Sequence, residues 1–468
     1  MDKYEKFKEH VRSAAERFKT MDKDDTIRIV AHLDADGISA CAIIIKLMNM
    51  DNRKYSISVV QQLSKEVIEE LAKEPYDNFI FVDLGSGQLK NIKEHLKSKN
   101  IIILDHHEID GKADDKIIHV NPHLFDIDGS KEISGSGVVY LFSRAVDESL
   151  RSMAHVAIIG AIGDIQENSG FMKLNQEILD CAVECGTIKV KKGLRFFGLQ
   201  TRPLHKILEY STDPYIPGVS GSESGAIQFL QQVGINPKNG KSWKKMIHLN
   251  DEDMKKLVTG IILRRENEEN PEDILGNIYV LEDEKLESPM RDAKEFSTLL
   301  NACGRMGKAS LGIGSCLGDK KIKDRALQNL LNYKREIIGA LRWYDDGGGS
   351  VMKDEGFVII NAKDSIRASI IGTLASIISK SNKVKDGTFI MSLAQIGDGY
   401  TKVSMRMAGN KNIDLREIIK EITEKADCGE AGGHMHAAGA LIDTAKEEEF
   451  IKEAKECLKK RSMEEDIL

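Results

Sequence analysis

Between residues 26 and 190, short apolar runs alternate with longer amphipathic stretches. Residues 26–31, 78–82 and 101–104 are strand-length runs rich in branched and aromatic side chains. Residues 4–18, 38–48 and 89–98 instead place their apolar side chains at helical spacing. This rhythm predicts βαβ units and a mainly parallel sheet. From 198 to 286 the pattern changes to mixed helices and loops, including an acidic run over 266–273. A helical connector is predicted over 327–343, ending at the break Asp345-Asp346-Gly347-Gly348-Gly349. Strands at 356–360, 388–392 and 402–407, with a helix at 369–379, predict a second, smaller α/β unit. The expected division is therefore an α/β domain over 1–197, a helical or mixed insertion over 198–295, a connector over 296–345 and a C-terminal α/β domain over 346–468. No internal repeat or low-complexity segment interrupts it.

The composition fits a globular chain with real cores: 468 residues, 41% hydrophobic and 30% charged. No apolar run reaches the roughly 18 residues that span a bilayer, and the opening Met1-Asp2-Lys3-Tyr4-Glu5-Lys6 has no signal-peptide core. Neither a membrane partner nor export is expected. The cysteines (Cys41, Cys181, Cys185, Cys303, Cys316, Cys428 and Cys457) are odd in number and form no CxxC pair, so a reducing cytoplasm is predicted. Cys181 and Cys185, one helical turn apart, read as buried small residues. A net charge of −7 argues against a nucleic-acid partner unless bound cations neutralise part of the acid. The basic stretches 189–195 and 320–325 read as solvated helix faces.

Three polar punctuations follow the apolar runs: His32-Leu33-Asp34-Ala35-Asp36-Gly37, then Asp83, then Asp105-His106-His107. In an open α/β sheet, residues just past the carboxyl ends of strands converge on one crevice. Carboxylates gathered there repel one another unless cations lie between them. Asp164, closing the run 157–163, is a fourth member. The cluster reads as a metal site for phosphate chemistry. It is no EF-hand, because His32 and Ile43 stand where that loop needs oxygen ligands. Mixed imidazole and carboxylate donors suit Mn²⁺, with Mg²⁺ or Zn²⁺ as alternatives. Gly37 lets the chain turn tightly into the next helix.

Two other motifs fail. Gly304-Arg305-Met306-Gly307-Lys308-Ala309 has alanine at 302, where a P-loop needs its first glycine, and no hydroxyl residue at 309. Ser134-Gly135-Ser136-Gly137 lacks the third glycine of a dinucleotide fingerprint and reads as a helix N-cap. No serine or cysteine nucleophile stands out. A second cluster, Gly432-Gly433-His434-Met435-His436-Ala437-Ala438-Gly439, offers flexible amides for an anion and two imidazoles for a phosphate. Ser404 and Arg406 alternate onto one face of a strand. Arg406 is a phosphate clamp on one reading and half of a surface ion pair on the other.

His32-x-Asp34-x-Asp36, Asp83, Asp105-His106-His107 and Asp164 together resemble the four motifs of the DHH phosphoesterase superfamily, and residues 432–439 resemble the glycine–histidine signature of its C-terminal domain. The likeness extends over the whole chain and is nearest to archaeal RecJ-like nucleases of the GINS-associated type. Residues 301–305 are similar to a stretch before the connector of those proteins; the additional oligonucleotide-binding barrel of bacterial RecJ has no clear counterpart. The resemblance implies a Mn²⁺-dependent exonuclease on single-stranded DNA or RNA, with its cleft between the first and last domains. It implies that His32, Asp34 and Asp83 hold one ion, and that Asp36, Asp83, His106 and Asp164 hold the other. Asp105 would orient a histidine, and His107 would face the scissile phosphate. Arg406, Ser404, Gly432, Gly433, His434, His436 and Arg305 would hold the strand, and the insertion would bind the GINS complex. Two further functions remain open: a replisome scaffold with a minor catalytic role, or a phosphoesterase for dinucleotides and short oligonucleotides.

Overall fold

The apolar runs of the first third pair side by side in parallel. The computed structural model describes residues 2–465 except 115, 169, 212–213, 269, 349, 382, 398 and 410–412. The chain forms two compact units, Met1–Leu330 and Leu331–Leu468.

In the first unit, helix α1 (Lys3–Lys19) precedes strands β1 (Ile27–His32), β2 (Tyr55–Val60), β3 (Asn78–Val82), β4 (Asn100–Leu104) and β5 (Ile117–Val120). Among the described residues they form a parallel sheet in the order β2-β1-β3-β4-β5. Helices α2 (Ala35–Met50), α3 (Lys65–Lys73), α4 (Leu89–His95), α5 (Gly135–Val146), α6 (Ala154–Gly163) and α7 (Lys173–Glu184) surround it. Period-two alternation turns Phe79, Phe81, Ile101 and Ile103 toward Ile68, Leu71, Leu89 and Ile92 of α3 and α4. The strands are therefore buried on both faces, which is why they read as almost unbroken apolar runs. Helix α2 starts at Ala35 rather than 38, because the Asp34 carboxylate caps it by accepting from the Gly37 N–H at 3.0 Å. Helix α4 stops at His95, short of the predicted 98.

The basic stretch 189–195 is not a helix face. It is strand β6 (Lys189–Leu194), paired antiparallel with β9 (Leu275–Val280), a partner more than eighty residues away. Between these strands lie α8 (Leu204–Glu209), α9 (Glu223–Gln232), the hairpin β7 (Lys238–Asn239) and β8 (Ser242–Trp243), and α10 (Asp251–Arg264). Leu204, Leu208, Phe229, Leu230, Leu257 and Ile261 form their separate core. Helices α11 (Ala293–Arg305), α12 (Ala309–Cys316) and α13 (Lys320–Asp345) follow. The connector α13 starts seven residues before the predicted 327, and Asp319 accepts from the Ile322 N–H at its start, at 3.0 Å.

Asp292 caps α11, accepting from the Lys294 and Glu295 N–H groups at 2.9 and 3.0 Å. It is buried, and burial followed by the Glu295 charge pushes its carboxyl up to about 7. The folded chain thus keeps a proton that the unfolded chain releases near pH 4. Asp292 lowers stability progressively as pH rises from about 4 to about 7, by up to about 4 kcal/mol. Asp292→Asn keeps a capping oxygen and removes this loss. Urea unfolding at pH 5 and pH 8 is expected to show the variant's advantage growing with pH.

In the second unit, the strands are β10 (Val351–Asp354), β11 (Phe357–Asn361), β12 (Phe389–Gly397), β13 (Tyr400–Met407), β14 (Gly429–His434) and β15 (Ala437–Asp443). The sheet order is β10-β11-β12-β13-β15-β14, with β11 and β12 parallel and the other pairs antiparallel. Helix α14 (Ala368–Ser379) packs on one face, and α15 (Leu415–Ala426) and α16 (Glu447–Glu465) on the other. This is the α/β unit the sequence predicts. Among the described residues, no helix is long and apolar enough to cross a membrane, and the seven cysteines are unpaired.

Candidate metal centre

β1, β3 and β4 are adjacent and parallel, with Ala31 level with Val82 and Val82 level with Leu104. Their carboxyl ends therefore deliver His32, Asp83 and Asp105-His106-His107 to one edge of the sheet. Asp83 has φ of 60° and donates its N–H to Leu104 O at 2.9 Å, so the backbone there is held in the left-handed region. Asp36 sits in the first turn of α2 and Asp164 caps the end of α6. The apolar run before Asp164 is thus a helix, packed on α2 and α5, and the fourth motif arrives at its C-terminal end.

The ligand-type atoms converge in three groups: His32, Asp34 and Asp83; Asp83, His106 and His107; Asp36, His106 and Asp164. Within each group they lie within 4.8 Å of one another. His106 Nε2 is 3.3 Å from both Asp83 Oδ1 and Asp164 Oδ2, and 3.8 Å from Asp36 Oδ2. His32 Nδ1 is 2.9 Å from Asp34 Oδ2 and 3.5 Å from Asp83 Oδ2. Despite this proximity, His32 Nδ1, His106 Nε2 and both Asp83 oxygens are buried without a hydrogen-bond partner. Each such orphan costs about 1–3 kcal/mol. Divalent cations among them would satisfy all four atoms, and the oxygen-rich donor set with imidazole fits Mn²⁺ or Mg²⁺.

The opposite side of the His106 ring is committed. Gly129 O lies 2.6 Å from His106 Nδ1, and a carbonyl only accepts, so Nδ1 carries a proton and Nε2 is the nitrogen left for a cation. Gln166 also donates to Gly129 O, at 3.0 Å, and is itself held by Asn175 at 2.6 Å. Asp105 faces away from the cluster. Its oxygens accept from the N–H groups of Ser86, His106 and His107, and one lies 2.8 Å from His107 Nδ1. Ser86 in turn meets His119 and Asn121 at 2.9 and 2.8 Å. Asp36 accepts from the Gly135 N–H at 2.6 Å and from the N–H and hydroxyl of Ser136, at the amino end of α5.

Charge at the cluster is strained. Burial, followed by the neighbouring Asp83, pushes Asp36 up to about 7, and burial with Asp36 raises Asp164 well above the carboxylate range. Burial works against charged His32 and His106, but Asp34, Asp83 and Asp164 outweigh it and hold both well above the usual imidazole value. Burial also opposes charge on Asp34 and Asp105, yet His32 and His107 respectively keep them below the usual carboxylate range. Without cations the cluster therefore stores protons, and a divalent ion must displace them. Lowering pH from 8 to 6 is expected to weaken Mn²⁺ binding at least about tenfold. Calorimetry in buffers of different ionisation enthalpy should record net proton release; a pH-independent affinity would contradict it.

Several supporting residues escape sequence reading: Ser86, His119, Asn121, Gln166 and Asn175 lie in no motif. The N-cap at 134–137 is legible, and Ser134 does accept from the Gly137 N–H at 3.1 Å, but its contact with Asp36 is not. Gly160 belongs with them, since a Cβ there would fall 2.4 Å from Asp36 Oδ1. Arg305 is half-buried at the end of α11, beside Gly304, which touches Leu33 of the metal loop. Asn301, in the same stretch, accepts from the Ala35 N–H at 3.1 Å.

The remaining predicted contacts belong to the second unit. Ser404 and Arg406 do share a face: a Cβ on Gly372 of α14 would lie 3.0 Å from Ser404 Oγ and 3.9 Å from Arg406 Nη2. Arg406 is half-buried and donates to Ser376 Oγ at 3.1 Å and Met405 O at 2.7 Å. Gly432 and Gly433 are exposed on edge strand β14, and His436 is exposed in the turn into β15. The His434 side chain lies outside the described residues.

Three family models match the chain: the DHH family N-terminal domain over residues 26–163, the DHH-CID domain over 196–276 and the DHHA1 domain over 355–460. An uncharacterized protein of Methanocaldococcus jannaschii is 34% identical over 448 residues, which is 92% of this chain and 93% of that protein. Among solved structures, RecJ from Thermus thermophilus in complex with Mn²⁺ aligns with a TM-score of 0.59 at 16% identity over 96% of this chain. The chain spans 55% of the length of that RecJ. CDC45 from Entamoeba histolytica aligns with a TM-score of 0.63 at 11% identity, covering 98% of this chain and 99% of that one.

Proposed function

The chain belongs to the DHH superfamily and is RecJ-like, and on that premise we propose that it is a Mn²⁺-dependent exonuclease hydrolysing single-stranded DNA or RNA. The observation that carries this reading is the set of buried, partnerless ligand atoms on His32, Asp83 and His106. His32, Asp34 and Asp83 would hold one cation, and Asp36, Asp83, His106 and Asp164 would hold the second. When bound, two such cations activate water and neutralise the charge developing on the phosphodiester. The protein's own groups set the geometry. Asp105 fixes the His107 ring, whose imidazole donates toward the scissile phosphate. The Gly135 and Ser136 amides hold Asp36 in place, and Gly129 and Gln166 hold His106.

Ser404, Arg406, Gly432, Gly433, His434, His436 and Arg305 are assigned to the strand. Arg406→Lys is expected to raise KM about ten- to a hundredfold, the loss of one charged contact of about 1.5–3 kcal/mol, because an ammonium cannot reproduce a two-pronged hold on phosphate. His434→Ala should act similarly. Manganese stoichiometry should stay unchanged in both, and loss of metal in His434→Ala would place that histidine among the ligands instead. Affinity for longer strands should fall steeply with salt, since more phosphates are neutralised.

The test is digestion of end-labelled single strands of several lengths, DNA and RNA, with Mn²⁺ or Mg²⁺. Stepwise loss from one end supports the exonuclease. Cleavage confined to dinucleotides supports a small-substrate phosphoesterase. No cleavage supports a replication scaffold, the reading that likeness to CDC45 favours. In either polymer role the partner surface is assigned to 198–295, with a GINS-type replisome complex as partner. A chain shortened there should lose co-elution with GINS while still cutting a short strand.

A further inference from the structure

A cavity of about 560 Å³ opens in the first unit, between the loop after α6 and the β6–β9 ribbon. None of the predicted site residues lines it, although the loop after Asp164 borders it, and its size suits a nucleotide-sized ligand. Three features of its lining ask for an occupant. Both oxygens of Glu167 are buried without a hydrogen-bond partner. The Lys294 ammonium stands 3.3 Å from one of them, close enough to balance its charge but out of hydrogen-bonding alignment. The Tyr279 hydroxyl is likewise buried and unpartnered, on a side chain only 5% exposed. Unmet buried polar groups in native proteins mark water or a ligand.

We propose that this cavity binds a guanine nucleotide. A carboxylate with two open oxygens matches the paired N1–H and N2–H donors of guanine, and an adjacent ammonium matches its O6. Adenine turns a lone pair toward the carboxylate, and cytosine offers it one amino group instead of two donors. Phe196 and Tyr279 also line the cavity. Lys192, exposed on β6, and Arg195, beside it, provide positive charge for the phosphate. Arg195 is already held by Asp273, so its part is electrostatic. None of these side chains belongs to the metal cluster.

Calorimetry of the full-length, Mn²⁺-loaded protein with 5′-GMP, AMP and CMP tests the proposal. GMP is expected to bind at least tenfold more tightly than AMP or CMP. Glu167→Gln, which puts an amide donor against the guanine donors, should weaken GMP at least tenfold, with thermal unfolding confirming the fold. Lys192→Ala changes only an exposed side chain, and it should erase the preference for GMP over guanosine. Asp83→Asn, which impairs the metal cluster, should leave GMP affinity within twofold. The proposal is overturned by no GMP binding, by equal binding of AMP, or by binding that survives Glu167→Gln but is lost in Asp83→Asn. That last pattern would place the nucleotide at the metal centre.

Discussion

Asp83→Asn is expected to abolish tight Mn²⁺ binding and to lower any phosphodiesterase rate by at least about a thousandfold. Among the described residues, Asp83 alone contributes to both the His32–Asp34 group and the His106–His107 group, and both its oxygens lack hydrogen-bond partners. Asparagine is the informative replacement, because it tolerates the φ of 60° at this position whereas alanine would add backbone strain. The fold should survive. Asp83→Asn removes the repulsion with Asp36 but also part of the attraction that holds His32 and His106 charged, so unfolding in chelator should stay cooperative, with its midpoint moved by no more than about a few degrees. Metal stoichiometry, unfolding and cleavage are read on the same preparation. Near-normal Mn²⁺ uptake would remove Asp83 from the centre of the site.

Gly304→Ala is expected to damage the same site from outside it. A Cβ there would fall 1.7 Å from Leu33 O, and a backbone carbonyl cannot rotate away. Helix α11 must back off from the His32–Asp36 loop, straining the Asn301 contact with the Ala35 N–H. Overpacking of this kind costs about 1–3 kcal/mol. A shift of the metal loop by about 1 Å is expected to lower activity on the order of a hundredfold. Gly339→Ala is the control: its added Cβ meets nothing within 4 Å on helix α13, so it should stabilise by about 1 kcal/mol. Equal stability of the two variants would show that the α11 approach to Leu33 is not tight.

Much of the molecule was legible from local pattern. The strand runs at 78–82 and 101–104 read correctly because strands buried on both faces are nearly all apolar and short. The convergence of His32, Asp83 and His106 follows from one rule, that parallel strands place their carboxyl ends together. Sequence also carried the N-cap at Ser134 and the shared face of Ser404 and Arg406, since both depend on neighbours in the chain or on its period. What depended on partners remote in sequence did not read. Residues 189–194 became a strand only because residues 275–280 lie alongside. The run before Asp164 folded as helix α6, where its small residues let it approach α2 and α5 closely. The tuning of the cluster also waited for the fold. Gly129, Gln166, Gly135, Ser136 and Asn301 act on it through one or two hydrogen bonds each from distant segments, and such bonds leave no periodic trace in the chain. Sequence determined which residues could hold a cation; packing around the sheet edge decided which of their atoms were left without partners to do so.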